Sequence, residues 1–373
     1  MRLLLLSCIL PQLQASVPTA SLEVAVFHGE SRDEPLAMDC KGKVMTDLWP
    51  GNAANAGAGC FSRGSCDHDK WIRKETPRPA NPAGPVETIV ALTFPQWGSF
   101  YHFATDTLSR MYWVHRDHPN LLKDPSVYWH VGSIGRAGQE WARLYGIKTT
   151  EDNNKLLDGW WKAHTIYVPP ALPGTFCTRW AGDSEAQHDQ KSTRKHILGW
   201  MRDTVGGNMG FDPRQNEDDD LADVATNVLL VRRHPDAVSD GRRVLNHDEV
   251  VRVTLETLPG WNIQEFTDFP LPPVRTTCEM FHNASIIIGP HGAGFANLVC
   301  ARRGAVLVEF QQLNHVTDFE VNSLMLGLHY IGIRTTIDHH ANGNINTSFV
   351  EAALTKAKEI VATKTTGVVI GSV

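Results

Sequence analysis

Residues 285–310, which read SIIIGPHGAGFANLVCARRGAVLVEF, decide the fold of this chain. Ile286 to Ile288 predict a buried strand, and a glycine-rich turn and a short helix follow before Val306 to Phe310 predict a second buried strand. A strand that enters a helix through glycines directs backbone N–H groups and the positive end of the helix dipole at one point. That geometry suits a phosphate or diphosphate. The stretch therefore predicts either a phosphate or nucleotide site, or a glycine-rich αβ corner that binds no ligand.

The side chains in and after the turn extend this prediction. Glycine is expected because a Cβ would block both the turn and the close approach of a ligand. His291 adds a hydrogen-bond donor that can be neutral or cationic near neutral pH. Glu309, at the end of the second strand, stands where an acidic side chain accepts hydrogen bonds from ribose hydroxyls in dinucleotide folds. The spacing is nevertheless G-x-x-G-x-G, and not the G-x-G-x-x-G of a dinucleotide fingerprint.

Two arginines end an earlier predicted strand, NVLLV, and ligand sites of parallel sheets lie at such ends. Arg232 and Arg233 can clamp a diphosphate and stabilise the charge of a departing nucleotide. The alternative is that one of them forms a surface ion pair. Arg242 or Arg243 would add a second phosphate contact. Asn246 fits either the N-cap of a helix over 247–258 or a ligand contact.

The segment 100–115 predicts a helix with two distinct faces. An apolar stripe predicts its core face through Tyr101, Ala104, Leu108 and Met111. His102, Asp106 and Arg110 recur at i, i+4 and i+8 on another face. A His and an Asp one turn apart can orient each other, and either one can serve as a general base. The alternative is a solvated polar stripe or a helix-capping network.

Short apolar strands alternate with helices from Glu87 and again from Thr226, which predicts an α/β fold with parallel sheets. A chain of 373 residues fits two domains. The acidic run 217–220 predicts a solvated linker between them, with a metal-binding D-x-D as the alternative. Further helices are predicted over 192–205, 273–283, 293–300 and 349–362. The net charge of −6 and the absence of a long basic run give no indication of a nucleic-acid partner.

The N-terminus and the cysteines indicate the compartment. The apolar run Leu3 to Leu10 is shorter than the roughly 20 residues that span a bilayer. Residues 1–15 therefore predict a signal peptide and no stable membrane span. Six cysteines remain after Cys8 is removed, enough for up to three disulfides, with free cytosolic thiols as the alternative. They are Cys40, Cys60, Cys66, Cys177, Cys278 and Cys300, of which Cys60 and Cys66 form a local candidate pair. Asn346 begins a glycosylation sequon in a polar loop.

Three segments together resemble glycosyltransferase family 61. The family's signature is similar to GPHGAG with the following Asn297 and ARRGAVLVEF. This block is the part of the resemblance that is specific to the family. LLVRRH followed by RRVLNHDEVV resembles its arginine pair, and WGSFYHFATDTLSRMYWV resembles its aromatic-His segment with a following Asp and Arg. The family includes plant N-glycan β-1,2-xylosyltransferases, xylan arabinosyltransferases and animal O-GlcNAc transferases of the secretory pathway. The resemblance covers roughly residues 90–340.

The resemblance implies a GT-B architecture, in which two Rossmann-like domains face each other across a cleft. Hydropathy and composition predict a signal peptide (1–15) and a loop-rich, cysteine-containing segment (21–86). For the rest of the chain the resemblance implies an acceptor-side α/β domain (87–215) and a nucleotide-sugar-binding α/β domain (222–373). His102 and Asp106 are then the catalytic candidates. The donor-site candidates are Arg232, Arg233, Arg242, Gly289, His291, Gly292, Ala293, Gly294, Asn297 and Glu309.

The implied function is an inverting transfer of a pentose or GlcNAc from a nucleotide-sugar, UDP-linked, to a hydroxyl of a glycan or glycoprotein in the endoplasmic reticulum, the Golgi or outside the cell. No cofactor is required, and a divalent metal is not expected to be essential. Three other functions are alternatives to this one. The chain lacks the G-x-G-x-x-G fingerprint of an NAD-dependent oxidoreductase. It also lacks the G-x-S-x-G nucleophile elbow of a serine hydrolase. A non-catalytic glycan- or nucleotide-binding protein on the same fold remains open.

Overall fold

A computed structural model of the chain describes residues 24–26, 37–38, 83–92, 100–131, 135–150, 153–154, 156–157, 161–167, 169, 172, 184–211, 226–236, 241–313, 318–338, 341–363 and 369–370. The expected signal peptide, the acidic run 217–220 and the candidate pair Cys60–Cys66 lie outside these residues, as do Cys40 and Cys177.

The N-terminal half contains a six-stranded mixed sheet in the order β2-β1-β8-β3-β4-β7. Its strands, with the separate hairpin β5–β6, are β1 (Val24–Val26), β2 (Ala37–Met38), β3 (Ala83–Ala91), β4 (Val127–His130), β5 (Thr149–Thr150), β6 (Asn153–Asn154), β7 (Leu156–Leu157) and β8 (Trp161–Tyr167). The four strands from β8 to β7 run parallel, whereas β1 and β2 pair antiparallel. Two strands from the segment assigned to 21–86 thus complete this sheet.

The helices of this half are α1 (Phe100–His102), α2 (Met111–Asp117), α3 (Gly135–Leu144) and α4 (Ser184–Met209). The segment expected as one regular helix over 100–115 is instead helical to 117 with a π turn at Phe103–Thr107 and a 3₁₀ turn at Leu108–Arg110. A second 3₁₀ turn covers Pro119–Leu122. Single π turns inside helices are frequent at functional sites.

The C-terminal half contains a fully parallel sheet, as predicted. Its strands are β9 (Asn227–Arg232), β10 (Asn262–Thr267), β11 (Ile286–Pro290), β12 (Val306–Gln311), β13 (His329–Arg334) and β14 (Val369–Ile370). Its helices are α5 (His247–Thr257), α6 (Val274–Asn283), a 3₁₀ helix (Ala293–Cys300), α7 (Asp318–Met325) and α8 (Thr347–Thr363). The order β10-β9-β11-β12-β13-β14 reverses direction between β9 and β11, and crevices at such a switch point bind ligands in open α/β sheets.

The two faces of the second sheet belong to different cores, because neighbouring side chains along a strand point to opposite faces. Val228 and Leu230 pack on one face with residues of α5 and α8. Leu229 and Val231 pack on the other face, in a core that continues into the N-terminal half through residues such as Leu108. The protein is therefore a mixed α/β structure whose two halves share one hydrophobic core.

Buried hydrogen bonds join the halves beside this core. The Arg194 guanidinium on α4 donates to Oδ1 of Asn322 on α7 at 2.6 Å, and Arg202 donates to the carbonyl of Leu326. Glu140 of α3 accepts a 3.0 Å hydrogen bond from the backbone N–H of Val274 at the start of α6. The bonds of Arg194 and Arg202 fix the position of α7, which carries part of the site described next.

Candidate functional site

The glycine-rich turn leaves β11 at the switch point, directly beside β9. A Cβ on Gly289 would lie 2.5 Å from the backbone oxygen of Val231 and 2.8 Å from its Cβ. Gly289 thus allows the two strands to approach each other.

Gly292 has a different reason to be glycine. Its φ of 165° is extended backbone that any residue can adopt, so the shape of the turn does not require it. A Cβ at this position would collide with the guanidinium of Arg233. The space that the sequence reserves for a ligand is therefore occupied by an arginine that belongs to the same candidate site.

Three further residues of the turn lie where the sequence predicts them. Ala293 and Gly294 begin the 3₁₀ helix and are half-buried. Asn297 is buried and donates from Nδ2 to the carbonyl of Gly294 at 2.8 Å, so it braces the turn from behind. Its Oδ1 has no hydrogen-bond partner within the described part of the chain.

His291 forms a dyad with Glu309 across β11 and β12. Nδ1 of His291 lies 2.5 Å from Oε1 of Glu309, whose side chain is fully buried. The other oxygen, Oε2, accepts a 2.5 Å hydrogen bond from the hydroxyl of Tyr330. Both carboxylate oxygens of Glu309 are therefore engaged inside the protein, which argues against the expected contact with a ribose.

His102 and Asp106 form a second dyad on the π turn, with Nδ1 and Oδ2 2.6 Å apart. The His102 side chain is 18% exposed and that of Asp106 1% exposed, so the imidazole is the member that reaches the solvent side. Oδ1 of Asp106 has no hydrogen-bond partner among the residues that the structure describes. The pair is not part of a solvated stripe, since Asp106 and Arg110 are both fully buried.

A chain of aromatic contacts brings the two dyads together. The ring centroids are 5.1 Å apart for His102 and Tyr101, 5.2 Å for Tyr101 and Phe319, and 4.9 Å for Phe319 and His291. α1 and the π turn also pack on the 3₁₀ helix that follows the glycine turn. Two segments separated by almost 200 residues of sequence thus form one site.

Asp318 adds an acidic group at this junction. Burial, opposed by Arg194 but reinforced by Asp106, raises the pKa of Asp318 above its usual value. The charges of His102 and His291 act on it as well and lower its pKa. Burial, followed by the charge of Asp318, holds the pKa of the adjacent Tyr101 well above its usual range.

Arg232 and Arg233 lie at the carboxyl end of β9 and have different partners. Arg232 is 3.7 Å from Oε2 of Glu265, whose Oε1 is 2.9 Å from Nε2 of His247. Arg232, Arg233 and His247 supply the polar lining of a small pocket between β9, β11 and the start of α5. Arg233 faces the glycine turn and donates to the carbonyl of Gly241 at 3.3 Å.

Arg242 and its neighbours shape the loop before α5. Arg242 has a φ of 65°, the left-handed region that non-glycine residues rarely occupy, and its N–H donates to the carbonyl of Ala341 at 2.5 Å. Asn246 stands before α5 but makes no side-chain cap there. Its amide instead pairs with the backbone N–H and carbonyl of Ile345, at 2.8 and 2.9 Å. Asn246 thus occupies the N-cap position that the sequence predicts, but its side chain fastens α5 to the loop preceding α8 and does not cap the helix.

Arg110 is a buried cation behind the first dyad. Nη1 donates to the carbonyl of Pro169 at 2.9 Å, while Nε and Nη2 have no partner among the described residues. Burial lowers the pKa of Arg110 to about 10, and the charge of Asp106 opposes this shift.

Several residues of the site escape prediction from sequence motifs. These are Tyr330, Gln311, Asp318, Phe319, Arg194 and Glu265. For Gln311 and Tyr330 a signal did exist, since each adjoins apolar strand residues that predict burial, and a buried polar side chain needs a partner.

Residues 100–308 match the family model described as Glycosyltransferase 61. The match covers more than half of the chain and includes the first dyad, both arginines and the glycine turn. The chain belongs to glycosyltransferase family 61. It is accordingly a glycosyltransferase, whose substrates are a sugar donor and an acceptor. A comparison with curated proteins found no match.

The family match ends one residue before Glu309, so the partners of His291 on β12 and β13 lie beyond it. Among the described residues of this family member, no three His, Cys, Asp or Glu side chains are grouped to hold a metal ion. Within the same residues, no helix has the length and apolarity to cross a membrane.

Proposed function

We propose that this enzyme transfers a sugar, a pentose or GlcNAc, from a UDP-linked donor to a hydroxyl of a glycan or glycoprotein with inversion at the anomeric carbon. The observation that carries the proposal is the junction of two histidine–carboxylate dyads. One dyad comes from each half of the α/β structure, and arginines stand beside the second. In this proposal the two sheets are the facing domains of a GT-B enzyme.

His102 is the proposed general base. Because Asp106 holds Nδ1, the tautomer with a proton on Nδ1 makes Nε2 the basic nitrogen. Asp106 is almost completely buried, so it orients the ring and stabilises the imidazolium that forms when Nε2 takes a proton. The structure thus favours His102 over Asp106 as the group that meets the acceptor hydroxyl.

Arg233, His291 and the turn form the proposed diphosphate site. Arg233 lies against Gly292 at the carboxyl end of β9, where a parallel sheet places its ligands. Guanidinium and imidazolium groups stabilise the negative charge that develops on a departing diphosphate. Arg232 and His247, which both contact Glu265, line the pocket next to Arg233, where the nucleoside would be held.

The proposed reaction is a single displacement. The acceptor oxygen forms a bond to the anomeric carbon while the bond from that carbon to the diphosphate oxygen breaks. The hydroxyl proton passes to Nε2 of His102, and the bonding electron pair leaves with the nucleoside diphosphate. No divalent metal is required in this proposal, because the arginines and His291 supply the positive charge.

The proposed compartment is the secretory pathway. Cys278 and Cys300 form a disulfide that joins α6 to the end of the 3₁₀ helix after the glycine turn, and disulfides persist in oxidising compartments. Asn346 is exposed at the start of α8, where a glycan could be attached. Non-reducing mass spectrometry of the secreted chain should find this disulfide and a mature N-terminus near Ser16; an intact N-terminus with free thiols would contradict the assignment.

A screen of nucleotide-sugars tests the activity itself. UDP-xylose, UDP-GlcNAc and UDP-arabinofuranose should be compared with GDP- and CMP-sugars by thermal stabilisation, and then by product analysis with glycan acceptors in the presence of EDTA. A UDP-sugar should stabilise the protein, and transfer should persist in EDTA with an inverted anomeric configuration. Stabilisation by no nucleotide-sugar would favour a non-catalytic protein.

A further inference from the structure

A chain of hydrogen bonds between buried residues lies behind His291. The contacts proposed for the sugar donor give no reason for it. Nε2 of Gln311 lies 3.0 Å from the hydroxyl oxygen of Tyr330. That hydroxyl lies 2.5 Å from Oε2 of Glu309. The other oxygen of Glu309, Oε1, lies 2.5 Å from Nδ1 of His291. All four residues are buried, with exposed fractions between 0% and 9%.

The positions of the protons in this chain follow from the chemistry of each group. Gln311 donates an amide N–H to the hydroxyl oxygen of Tyr330, so the single hydroxyl proton points to Glu309. Burial and the charge of Glu309 raise the pKa of Tyr330, which keeps that proton in place. A carboxylate only accepts hydrogen bonds, so Nδ1 of His291 must donate to it.

The backbone makes room for this arrangement. Gly332 pairs with Glu309 in the register of β12 and β13. A Cβ on Gly332 would collide with the amide of Gln311 and lie 3.2 Å from the Tyr330 hydroxyl oxygen. The glycine therefore admits the amide that directs the tyrosine proton.

We propose that Tyr330, oriented by Gln311, is a positioning residue: its hydroxyl holds the Glu309 carboxylate in the orientation that accepts the Nδ1–H of His291. Nε2 is then the nitrogen that faces the diphosphate, and in the imidazolium it carries the donated proton. The inference rests on the proposed role of His291 in donor binding. Asp318 of α7 and the guanidinium of Arg233 beside the turn are the other charged groups that act near this ring.

Nitrogen NMR of the full-length protein, with ¹⁵N-labelled histidine and without any ligand, measures the tautomer directly. The His291 signals are those missing from the spectrum of His291→Gln. In the wild type at a pH where the ring is neutral, Nδ1 should carry the proton. A wild-type ring protonated on Nε2 would overturn the proposal without the need for any other variant.

Glu309→Gln provides the sharper test. If the Tyr330 proton points to residue 309, the new amide must present its oxygen to Tyr330 and its NH₂ to Nδ1, so His291 should change to the Nε2–H tautomer. Adding Tyr330→Phe removes this constraint, so the double variant should no longer be held in the Nε2–H tautomer. Retention of Nδ1–H in Glu309→Gln alone would show that Tyr330 does not direct the dyad.

Turnover distinguishes positioning from mere folding. Tyr330→Phe should lower the rate of sugar transfer by about 10-fold or more, the usual scale for groups that orient a functional side chain. Tyr145→Phe is the matched control, because Tyr145 is also a buried tyrosine but its hydroxyl has no partner within the described residues. This control should keep both the His291 tautomer and the rate.

An unchanged rate in Tyr330→Phe would overturn the positioning role. Absence of transfer from every nucleotide-sugar by the wild type would instead contradict the proposed function and leave the NMR result intact.

Discussion

His102 and Asp106 lie one helical turn apart, whereas His291 and Glu309 lie on neighbouring segments of a parallel sheet, 18 residues apart. Each pair joins Nδ1 of a histidine to a buried carboxylate at 2.5 to 2.6 Å. The pairs differ in the hydrogen bonds that the two oxygens of each carboxylate accept. Asp106 has one oxygen without a partner among the described residues, while both oxygens of Glu309 are hydrogen-bonded.

This difference indicates different tasks. A carboxylate with every hydrogen bond satisfied is rigid, and its histidine is held in one tautomer. That suits a group that binds a diphosphate of fixed geometry. The first dyad has a more exposed imidazole on a π turn, with the buried cation Arg110 nearby. That suits a base that must accept and release a proton in every cycle.

The largest expected effect tests the first dyad. Asp106→Asn keeps the size of the side chain but removes the charge that stabilises the His102 imidazolium. We expect turnover to fall by roughly 10²–10⁴-fold while affinity for UDP stays within about twofold. Steady-state kinetics and calorimetry measure these quantities. Asp203→Asn, on the exposed side of α4, is the matched control and should change neither. Near-normal turnover in Asp106→Asn would remove the base from this dyad.

A second, smaller effect tests the donor side. Gly292→Val should displace the Arg233 guanidinium and weaken UDP binding more than tenfold, about 1.4 kcal/mol. Arg233→Ala should have a similar effect and should also lower turnover. If the valine acts only by displacing this arginine, the double variant should bind UDP no more weakly than Arg233→Ala alone.

Gly199→Ala serves as the control for the glycine substitution, since no other group lies within 4 Å of a Cβ at that position. Folding is monitored by thermal denaturation of every variant. Fully additive losses in the double variant would mean that Gly292 contacts the ligand itself, as the sequence predicts.

The smallest effect concerns Asp318, which lies at the junction of the dyads. Its raised pKa means that the folded state binds more protons than the unfolded state as the pH rises above the usual aspartate value of about 3.9. The free energy of unfolding then falls with rising pH in that window. Asp318→Asn should therefore gain stability relative to the wild type between acid and neutral pH. Urea unfolding across this range measures the difference, and a gain that shrinks as the pH rises would contradict the burial of this carboxylate.

The contrast between the dyads also separates what sequence predicts from what it does not. The spacing of His102 and Asp106 is visible in the chain, because i and i+4 side chains share a helix face. The glycine turn and the ends of the strands are equally visible as local patterns. So is the alternation of strands and helices that predicts the parallel second sheet. The pairing of Glu309 with Tyr330 depends on strand register, which a single apolar pattern does not reveal when both faces of the strands are buried.

The partial failures have the same physical origin. Glu309 occupies the position of a ribose-binding acid in the chain, but the neighbouring strand brings a tyrosine to its free oxygen. The sequence predicts that the space beside Gly292 holds a ligand, but the guanidinium of Arg233, which follows β9, lies in that space. Arg110 is buried where its 3₁₀ turn packs on α4 and its guanidinium reaches the carbonyl of Pro169. In each case a segment distant in sequence determines what surrounds a residue that the sequence singles out.

The division of labour between the dyads is the central claim, and one side-by-side measurement tests it most directly. His102→Gln and His291→Gln are compared in their dissociation constant for UDP and in turnover, with the exposed His196→Gln as the control. We predict that His102→Gln binds UDP like the wild type but transfers sugar roughly 10²–10⁴-fold more slowly. His291→Gln should bind UDP more than tenfold more weakly, about 1.4 kcal/mol. Normal UDP binding by His291→Gln together with weakened binding by His102→Gln would contradict the account.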